Sequence, residues 1–369
     1  MQELIVTRWL RWTIALVVLV LLVWFVYAIR SILTSLLLAF IIAYVFSPFV
    51  DFLERHRVKR GWGTLIVILS LGSLLALFIL FAAPPLAREF AEVGERLPNY
   101  REIFNERLFP FLEERFDINL EERFTGLLES LEENRELLQD IGSRVLGPLF
   151  RFVRSGISGL VSSIIILVNL MLVPVMAVYL LKDMNRVRRW AVDSLPQGNR
   201  SQWKAKLREI DELLGGYLRG QLLVALILGV LYTIGLSILR VPLAPFVGFV
   251  AGLANMIPFF GLLVGIVPAS LLAYLEHGTW QPIVGVLGVF TIPQLLENWL
   301  ITPRIVGKRV ELHPVAIILA IVIWGFFFGF FGMLIAVPLT AAGNVLFKSL
   351  MERYKESEFY RSESAGAGR

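Results

Sequence analysis

The chain has 369 residues, of which 57% are hydrophobic and only 18% are charged, and its mean hydropathy is +0.71. Since about a quarter of the residues of an average globular chain are charged, this composition excludes a soluble enzyme and indicates a membrane protein. The formal net charge of +5 reflects basic residues beside apolar stretches, which indicates membrane topology rather than nucleic-acid binding. Cysteine is absent, which excludes a disulfide framework, a thiolate metal site and a cysteine nucleophile.

Eight stretches of at least 18 residues contain no charged side chain when histidine is counted as uncharged. A helix needs about 20 predominantly apolar residues to cross the hydrocarbon core of a bilayer. We therefore expect an all-α polytopic membrane protein, and the length of the stretches excludes an outer-membrane barrel, whose strands alternate over about ten residues. The stretches are residues 12–29, 31–50, 61–87, 155–181, 220–239, 241–275, 277–296 and 312–347.

The charges between these stretches predict how the chain crosses the membrane, because Lys and Arg are enriched in short cytoplasmic loops. Residues 55–60 carry four basic residues, and residues 182–215 carry eight against five acidic ones, so both segments are expected in the cytoplasm. Residues 88–154 carry ten basic and fifteen acidic residues and are expected on the other side. The chain is therefore expected to be a multi-pass protein of a bacterial inner membrane with both termini in the cytoplasm.

Two stretches, residues 241–275 and 312–347, are 35 and 36 residues long, well beyond the length of one spanning helix. By the charge rule each begins and ends on the same side of the membrane, so we predict that each forms a helical hairpin. Helix-breaking residues stand near the middle of both stretches. They are Asn255, Pro258 and Gly261 in the first and Gly325, Gly329 and Gly332 in the second.

The two predicted hairpins also resemble each other in sequence. The first contains FFGLLVGIVPAS from Phe259 and the second FFGMLIAVPLT from Phe330, while the charges give the units 216–276 and 279–347 opposite orientations. Inverted repeats with broken helices at matching positions are typical of secondary transporters and indicate their binding sites. We therefore predict a transport unit at residues 216–348, with the alternative that the glycines only permit close helix packing.

A hairpin tip inside the membrane leaves backbone groups unpaired, and these are tolerated only against protein or a watery cavity. Such a tip can hold a small polar solute. The predicted substrate-binding residues are Asn255, Pro258, Gly261, Gln294, Gly329 and Gly332, and the predicted cytoplasmic mouth consists of Asp211, Tyr217 and Gln221.

Glu297 is the one acidic residue with long apolar sequence on both sides, and Asn298 follows it. An ionisable side chain at membrane depth is costly and indicates a functional site. This pair is therefore the candidate for coupling transport to a proton or a monovalent cation. Two alternatives stay open: the carboxylate pairs with Arg304, or it lies at the membrane interface near Pro303.

Motifs of the common enzyme classes do not occur in the sequence. It contains no HExxH pair, no GxSxG elbow and no GxxxxGK[ST] phosphate loop. The chain is therefore expected to be a non-enzyme with no cofactor and no metal, and direct use of ATP by this chain is not expected.

The N-terminal helices and an amphipathic segment are expected to act as scaffold and oligomer contact, since LEERFTGLLESLEENRELLQDI carries charges too dense for a spanning helix. Pro98 and Pro110 are expected to break that segment. The predicted divisions are a transmembrane scaffold at 1–85, an amphipathic extracytoplasmic helical segment at 86–154, a transmembrane helix with cytoplasmic interfacial helices at 155–215, an inverted-repeat transport unit at 216–348 and a cytoplasmic tail at 349–369.

Several of these motifs resemble those of one family. They are Asp211 with Tyr217, Gly220 and Gln221; NMIPFFGLLVGIVPA from Asn255; QLLENWLITPRIVGKRVELHP from Gln294; and GMLIAVPLTA from Gly332. In these motifs, and over nearly its whole length, the chain resembles the autoinducer-2 exporter family of bacterial membrane proteins, which includes PerM-type permeases. The resemblance implies an exporter of small solutes, such as that quorum signal, or a cation/proton antiporter.

The expected function is accordingly a homo-oligomeric secondary transporter that exports a small polar solute by alternating access. The first alternative is a Na⁺/H⁺ antiporter, which exchanges a monovalent cation for a proton through Glu297. The second is a membrane scaffold that transports nothing. A scaffold would tolerate bulky substitutions at Gly261 and Gly332.

Overall fold

The computed structural model of the protein describes residues 17–103, 164–195, 200–305 and 312–356, apart from residues 19, 22 and 23. Within these ranges all regular structure is helical and no strand occurs. The elements are α1 Arg30–Arg55, α2 Arg60–Ile103, α3 Ile164–Asp193, α4 Arg200–Ile238, α5 Ala244–Ala254, α6 Phe260–His277, α7 Gln281–Leu296, a π-helical turn Glu297–Ile301, α8 Thr302–Ile305 and α9 Pro314–Glu356.

Six helical segments of the described chain are long and apolar enough to cross a membrane, which confirms an all-α polytopic membrane protein. The eleven-residue α5 is too short to cross alone. Two predicted stretches, 12–29 and 155–181, lie partly outside the described residues, as does the segment 104–154 with Pro110. The six segments are Ile32–Arg55, Arg60–Arg96, Arg200–Ile238, Phe260–His277, Gln281–Ile305 and Pro314–Glu352.

Large apolar side chains cover the outer faces of these helices. On α2, for example, Leu69, Leu74 and Phe81 are all more than half exposed. Apolar faces of this extent are stable only against lipid or other protein. The bilayer is therefore the medium that these faces contact.

The chain divides into two compact units. One comprises the described residues within 1–64, 170–219 and 308–369, and the other comprises those within 65–169 and 220–307. The boundaries near residues 64 and 219 fall inside α2 and α4, so each of these helices contributes to both units. The predicted functional divisions, including a transport unit at 216–348, stay predictions.

The second unit is built around a core in which Leu228 and Tyr232 of α4 and Phe290 of α7 are fully buried. The rings of Tyr232 and Phe290 lie 4.5 Å apart between centroids. Gly252 of α5 lies directly against the backbone of Gly229 of α4. Since small residues let membrane helices approach closely, this contact allows the short α5 to pack directly against α4.

The break between α5 and α6 lies where the sequence predicts it, at Asn255 to Phe259. Helix α5 ends at Ala254, and Phe259 adopts a left-handed backbone with φ of 68°. Pro258 has no backbone N–H, so it cannot donate the hydrogen bond that would extend α5 past the break. The chain turns here through short bonds, from Met256 N to Leu253 O and from Phe260 N to Ile257 O.

The second predicted break lies within α9, at Gly329, whose φ of 62° and ψ of −146° are not helical. Glycine alone adopts this conformation without strain. The Trp324 indole donates to the Thr340 hydroxyl at 3.3 Å, although a straight helix would separate these residues by about 24 Å. The helix therefore folds back at Gly329, as predicted. The repeat relationship between the two hairpins stays a prediction.

Helix α2 continues through a proline at which the sequence predicts a break. Helix α2 runs through Pro98, because Arg96 and Tyr100 on either side both bind Glu276, and these contacts offset the lost backbone bond. Within residues 183–215, predicted to form cytoplasmic interfacial helices, residues 183–193 form the end of α3 and residues 200–215 form the first turns of α4. Their location at the membrane interface stays a prediction.

Replacing Gly252 by alanine is expected to lower the free energy of unfolding by about 1–3 kcal/mol, because the added methyl group would overlap the Gly229 backbone. Titration of the purified protein with SDS in mixed micelles, followed by circular dichroism, measures this change. Gly288→Ala in α7 is the matched control. Nothing lies within 4 Å of its new methyl group, so this variant should be as stable as the parent or slightly more so. Equal stability of the two variants would contradict the close α4–α5 contact.

The fold-back of α9 is open to a cross-linking test, since the chain contains no cysteine. In the double variant Trp324→Cys, Thr340→Cys, a short bifunctional methanethiosulfonate should join the two thiols within one chain, because their parent side chains are in contact. Peptide mass spectrometry identifies the product, and the two single variants serve as controls. Labelling of both thiols by maleimide without any cross-link would show that α9 is not folded back.

Candidate functional site

A buried carboxylate lies inside the second unit. Glu297, on the π-helical turn, is only 7% exposed. Its Oε2 accepts a hydrogen bond from Asn255 Nδ2 at 3.0 Å and another from Gln294 Nε2. The carboxylate thus joins the tip of the α5–α6 hairpin to the end of α7.

Asn255 links this carboxylate to a third helix. Its backbone carbonyl accepts a hydrogen bond from Gln221 Nε2 of α4 at 3.0 Å, and Asn255 and Gln221 are 6% and 8% exposed. The last carbonyls of a helix lack partners within it, and Asn255 follows the last residue of α5. Gln221 therefore supplies a donor that the interrupted helix does not provide.

Two further groups complete this buried polar cluster, which consists of Gln221, Tyr232, Asn255, Gln294, Glu297 and Thr302. The Tyr232 hydroxyl donates to Gln294 Oε1 at 3.5 Å, which leaves the Gln294 amide nitrogen facing Glu297. The Thr302 hydroxyl lies beside the carboxylate without meeting the full geometry of a hydrogen bond, and its oxygen is buried with no other partner in the described part of the chain. The cluster therefore has unused hydrogen-bonding capacity.

The π-helical turn explains how Glu297 and Thr302 come together. Backbone N–H of Thr302 bonds to the carbonyl of Glu297, five residues earlier. Prolines at 293 and 303 flank the turn, and each removes one backbone donor from the helix. Single π-turns of this kind occur often at functional sites. Here the turn directs Glu297 inward, while the neighbouring Trp299 is 84% exposed.

The hydrogen-bond partners of Glu297 are uncharged. Among the described residues Glu297 forms no ion pair, and its partners are the neutral amides of Asn255 and Gln294. The predicted pairing with Arg304 is wrong, because that side chain is exposed while the carboxylate points into the unit. An ionised side chain buried with neutral partners is costly.

The structure brings four of the predicted residues together and separates others. Asn255, Gln294, Glu297 and Gln221 meet in the cluster. Asn298, predicted to act with Glu297, is exposed.

The other predicted tip residues support the breaks or form them. Pro258 is half-buried in the turn, and Gly261 lies so close to Asn255 that a Cβ would approach its backbone to 2.7 Å. Gly329 is exposed and Gly332 is buried at the α9 break, in the first unit.

The three residues of the predicted cytoplasmic mouth are divided between the two units. Asp211 and Tyr217 belong to the first unit, where Asp211 Oδ1 accepts hydrogen bonds from Tyr44 at 2.9 Å and from Arg188 at 3.1 Å. Tyr217 is buried. Gln221, grouped with them by the sequence, bonds to Asn255 in the second unit instead.

Tyr232 and Thr302 were missed by sequence reasoning. Tyr232 follows Gln221 by eleven residues, which is about three helical turns and places both on one face of α4. This spacing is a signal that could have found it. Thr302 carries no such signal, because only the π-turn moves it beside Glu297.

Comparisons with known proteins agree with the membrane fold. The sequence model described as the AI-2E family transporter matches residues 14–352. YrrI of Bacillus subtilis, named a candidate transport protein, is 28% identical over 86% of this chain and 86% of its own length. YueF of the same bacterium is 26% identical over 91% and 88%. PerM of Escherichia coli K12, named a candidate permease, is 26% identical over 84% of each chain.

Replacing Asn255 by alanine is expected to lower the free energy of unfolding by about 1.5–3 kcal/mol, because the buried carboxylate would lose one of its two amide donors. The bond from Gln221 goes to the backbone carbonyl and remains. SDS titration in mixed micelles measures the loss. Asn298→Ala, an exposed amide beside the same carboxylate, is the control and should leave stability within about 0.5 kcal/mol of the parent. Equal effects of the two variants would contradict the structural role of the cluster.

Proposed function

The chain belongs to the AI-2E family of transporters, and from this premise we propose that it is a secondary transporter that exports a small polar solute by alternating access. The observation that carries the proposal is the buried polar cluster at the broken α5–α6 hairpin. It offers amide, hydroxyl and carboxylate groups inside an otherwise apolar unit. Transporters bind their substrates at such interrupted helices.

In this proposal the solute exchanges hydrogen bonds with the cluster. Asn255 and Gln294 supply amide groups, and Pro258 and Gly261 shape the turn that presents Asn255. Gly329 and Gly332 lie at the break of the second interrupted helix, α9. The solute is proposed to contact the backbone of α9 at this break. Asp211, Tyr217 and Gln221 are proposed to guide the solute from the cytoplasm.

The driving force is proposed to be an ion gradient or the gradient of the solute itself, since the sequence has no phosphate-binding loop for ATP. The proposed setting is the bacterial inner membrane with both termini in the cytoplasm. The distribution of basic residues supports this orientation. The transporter is proposed to act as a homo-oligomer.

A second candidate function is exchange of Na⁺ or another monovalent cation for a proton. One observation favours it: Glu297 is buried and, in the described part of the chain, no cationic side chain balances its charge. Such a carboxylate can bind a proton or a cation in turn. The unpartnered Thr302 hydroxyl beside it adds a neutral oxygen ligand.

A scaffold that transports nothing is the third possibility. Tolerance of bulky residues at Gly261 and Gly332 does not test it, because a Cβ at either position would overlap neighbouring atoms. Such variants would disturb packing whatever the chain does. Flux measurements separate the three functions.

The test uses the purified protein in proteoliposomes. Liposomes loaded with labelled autoinducer-2 should release it faster than empty-bilayer controls, and Glu297→Gln should alter the rate while Glu352→Gln, an exposed acid of α9, should not. If an imposed Na⁺ gradient instead collapses a pH gradient, and Glu297→Gln alone loses this exchange, the chain is an antiporter. Absence of both activities in folded wild-type protein would contradict transport and favour the scaffold.

A further inference from the structure

A second polar site lies in the same unit, apart from the buried polar cluster. It is a cavity of about 320 Å³ between the end of α2, the α4–α5 connection and the end of α6. Its volume is at the lower end of the range of small-molecule sites, about 300–1,000 Å³. The polar lining consists of Glu89, Glu92, Arg96, Ser237, Arg240 and Glu276.

Part of this charge is already balanced. Arg96 Nη1 donates to both carboxylate oxygens of Glu276, at 2.5 and 2.6 Å, and the Tyr100 hydroxyl adds a bond at 3.1 Å. Burial, together with the negative charge of Glu276, raises the pKa of Tyr100, so its hydroxyl stays a donor. These three residues connect α2 to α6, and Arg96 and Glu276 line one side of the cavity.

The acidic side of the cavity keeps unused acceptors. Glu89 lies against the backbone N–H of Leu243, but its Oε2 is buried without a hydrogen-bond partner in the described part of the chain. Glu92 lies one helical turn further along α2 and lines the same cavity. A buried acceptor without a donor is destabilising. An ammonium group supplies both the missing donor and the opposite charge.

The basic side of the cavity is formed by Arg240, which lies on the strained connection between α4 and α5. Arg240 and Leu243 adopt left-handed backbones, with φ of 54° and 57°, which non-glycine residues rarely do. Burial of Val241 and Leu243 in the core holds this conformation. The Arg240 side chain is exposed and forms no ion pair among the described residues. Strained backbone of this kind is found at ligand sites.

We propose that this cavity binds a small zwitterion, with its ammonium group at Glu89 and Glu92 and its carboxylate at Arg240. The two glutamates disfavour a simple anion, and Arg240 disfavours a simple cation. Val93 and Pro242 supply apolar wall for the carbon skeleton. The charge rule places this end of the unit outside the cytoplasm. The site does not depend on the proposed transport function.

The test compares three probes that share a short carbon skeleton: L-alanine carries both charges, ethylamine only the positive one and propionate only the negative one. Calorimetric titration of the full chain in lipid nanodiscs should show saturable binding of L-alanine, with the other two at least about tenfold weaker. Equal binding of ethylamine or propionate would overturn the assignment of a zwitterion, and absence of saturable L-alanine binding would overturn the site.

Two variants assign the charges. Arg240→Gln should weaken L-alanine binding about tenfold and should not weaken ethylamine binding, while Glu89→Gln should weaken both. Arg240 is exposed, so its variant should fold, as circular dichroism will verify. Arg189→Gln, an exposed arginine of α3, is the control. Parent-like L-alanine affinity in both cavity variants would overturn the proposal. Because binding is measured without flux, loss of transport activity alone leaves this result unaffected.

Discussion

A carboxylate buried in an apolar helix bundle must find hydrogen-bond donors, because an unpaired buried charge costs several kcal/mol. Glu297 obtains two from neutral amides. Asn255 reaches it only because α5 ends after eleven residues, and the carbonyl of Asn255 then needs the donor that Gln221 supplies. The interrupted helix and the buried charge therefore require each other. Removing either one leaves the other with unpaired polar groups.

Close backbone contacts fix the position of the hairpin tip, and no rearrangement of side chains can relieve them. Gly252 lies on the backbone of Gly229, and Gly261 lies on the backbone of Asn255. Backbone contacts of this kind have little freedom to shift, unlike the ends of flexible side chains. The Asn255 amide is thus held in place by packing as well as by hydrogen bonds. In the proposed transport cycle, a solute that takes over one of its bonds meets a site that is already ordered.

Local patterns predicted much of this fold, and tertiary contacts account for the rest. The two helix breaks follow from Pro258 and Gly329, whose effects on the backbone are local. Gln294 and Glu297 are three residues apart, a spacing that puts both on one helical face. The predicted break at Pro98 is wrong, because the bonds from Arg96 and Tyr100 to Glu276 stabilise α2 on both sides of the proline. The sequence did not predict the position of Thr302 beside Glu297, because an α-helix would direct Thr302 well away from Glu297 and only the π-turn brings it near.

The two candidate transport functions share one chemical step at Glu297. As a carboxylate it only accepts hydrogen bonds, and the amide nitrogens of Asn255 and Gln294 point at the same oxygen, Oε2. A proton on Oε1, to which neither amide donates, leaves both bonds in place, whereas a proton on Oε2 makes that oxygen a donor and reduces its acceptor capacity, so that one amide must turn or withdraw. The Asn255 amide belongs to the hairpin tip, and its movement changes the contact between α5 and the π-turn. A proton on Oε2 of Glu297 would therefore alter the hairpin, whether the transported species is a solute or the cation itself.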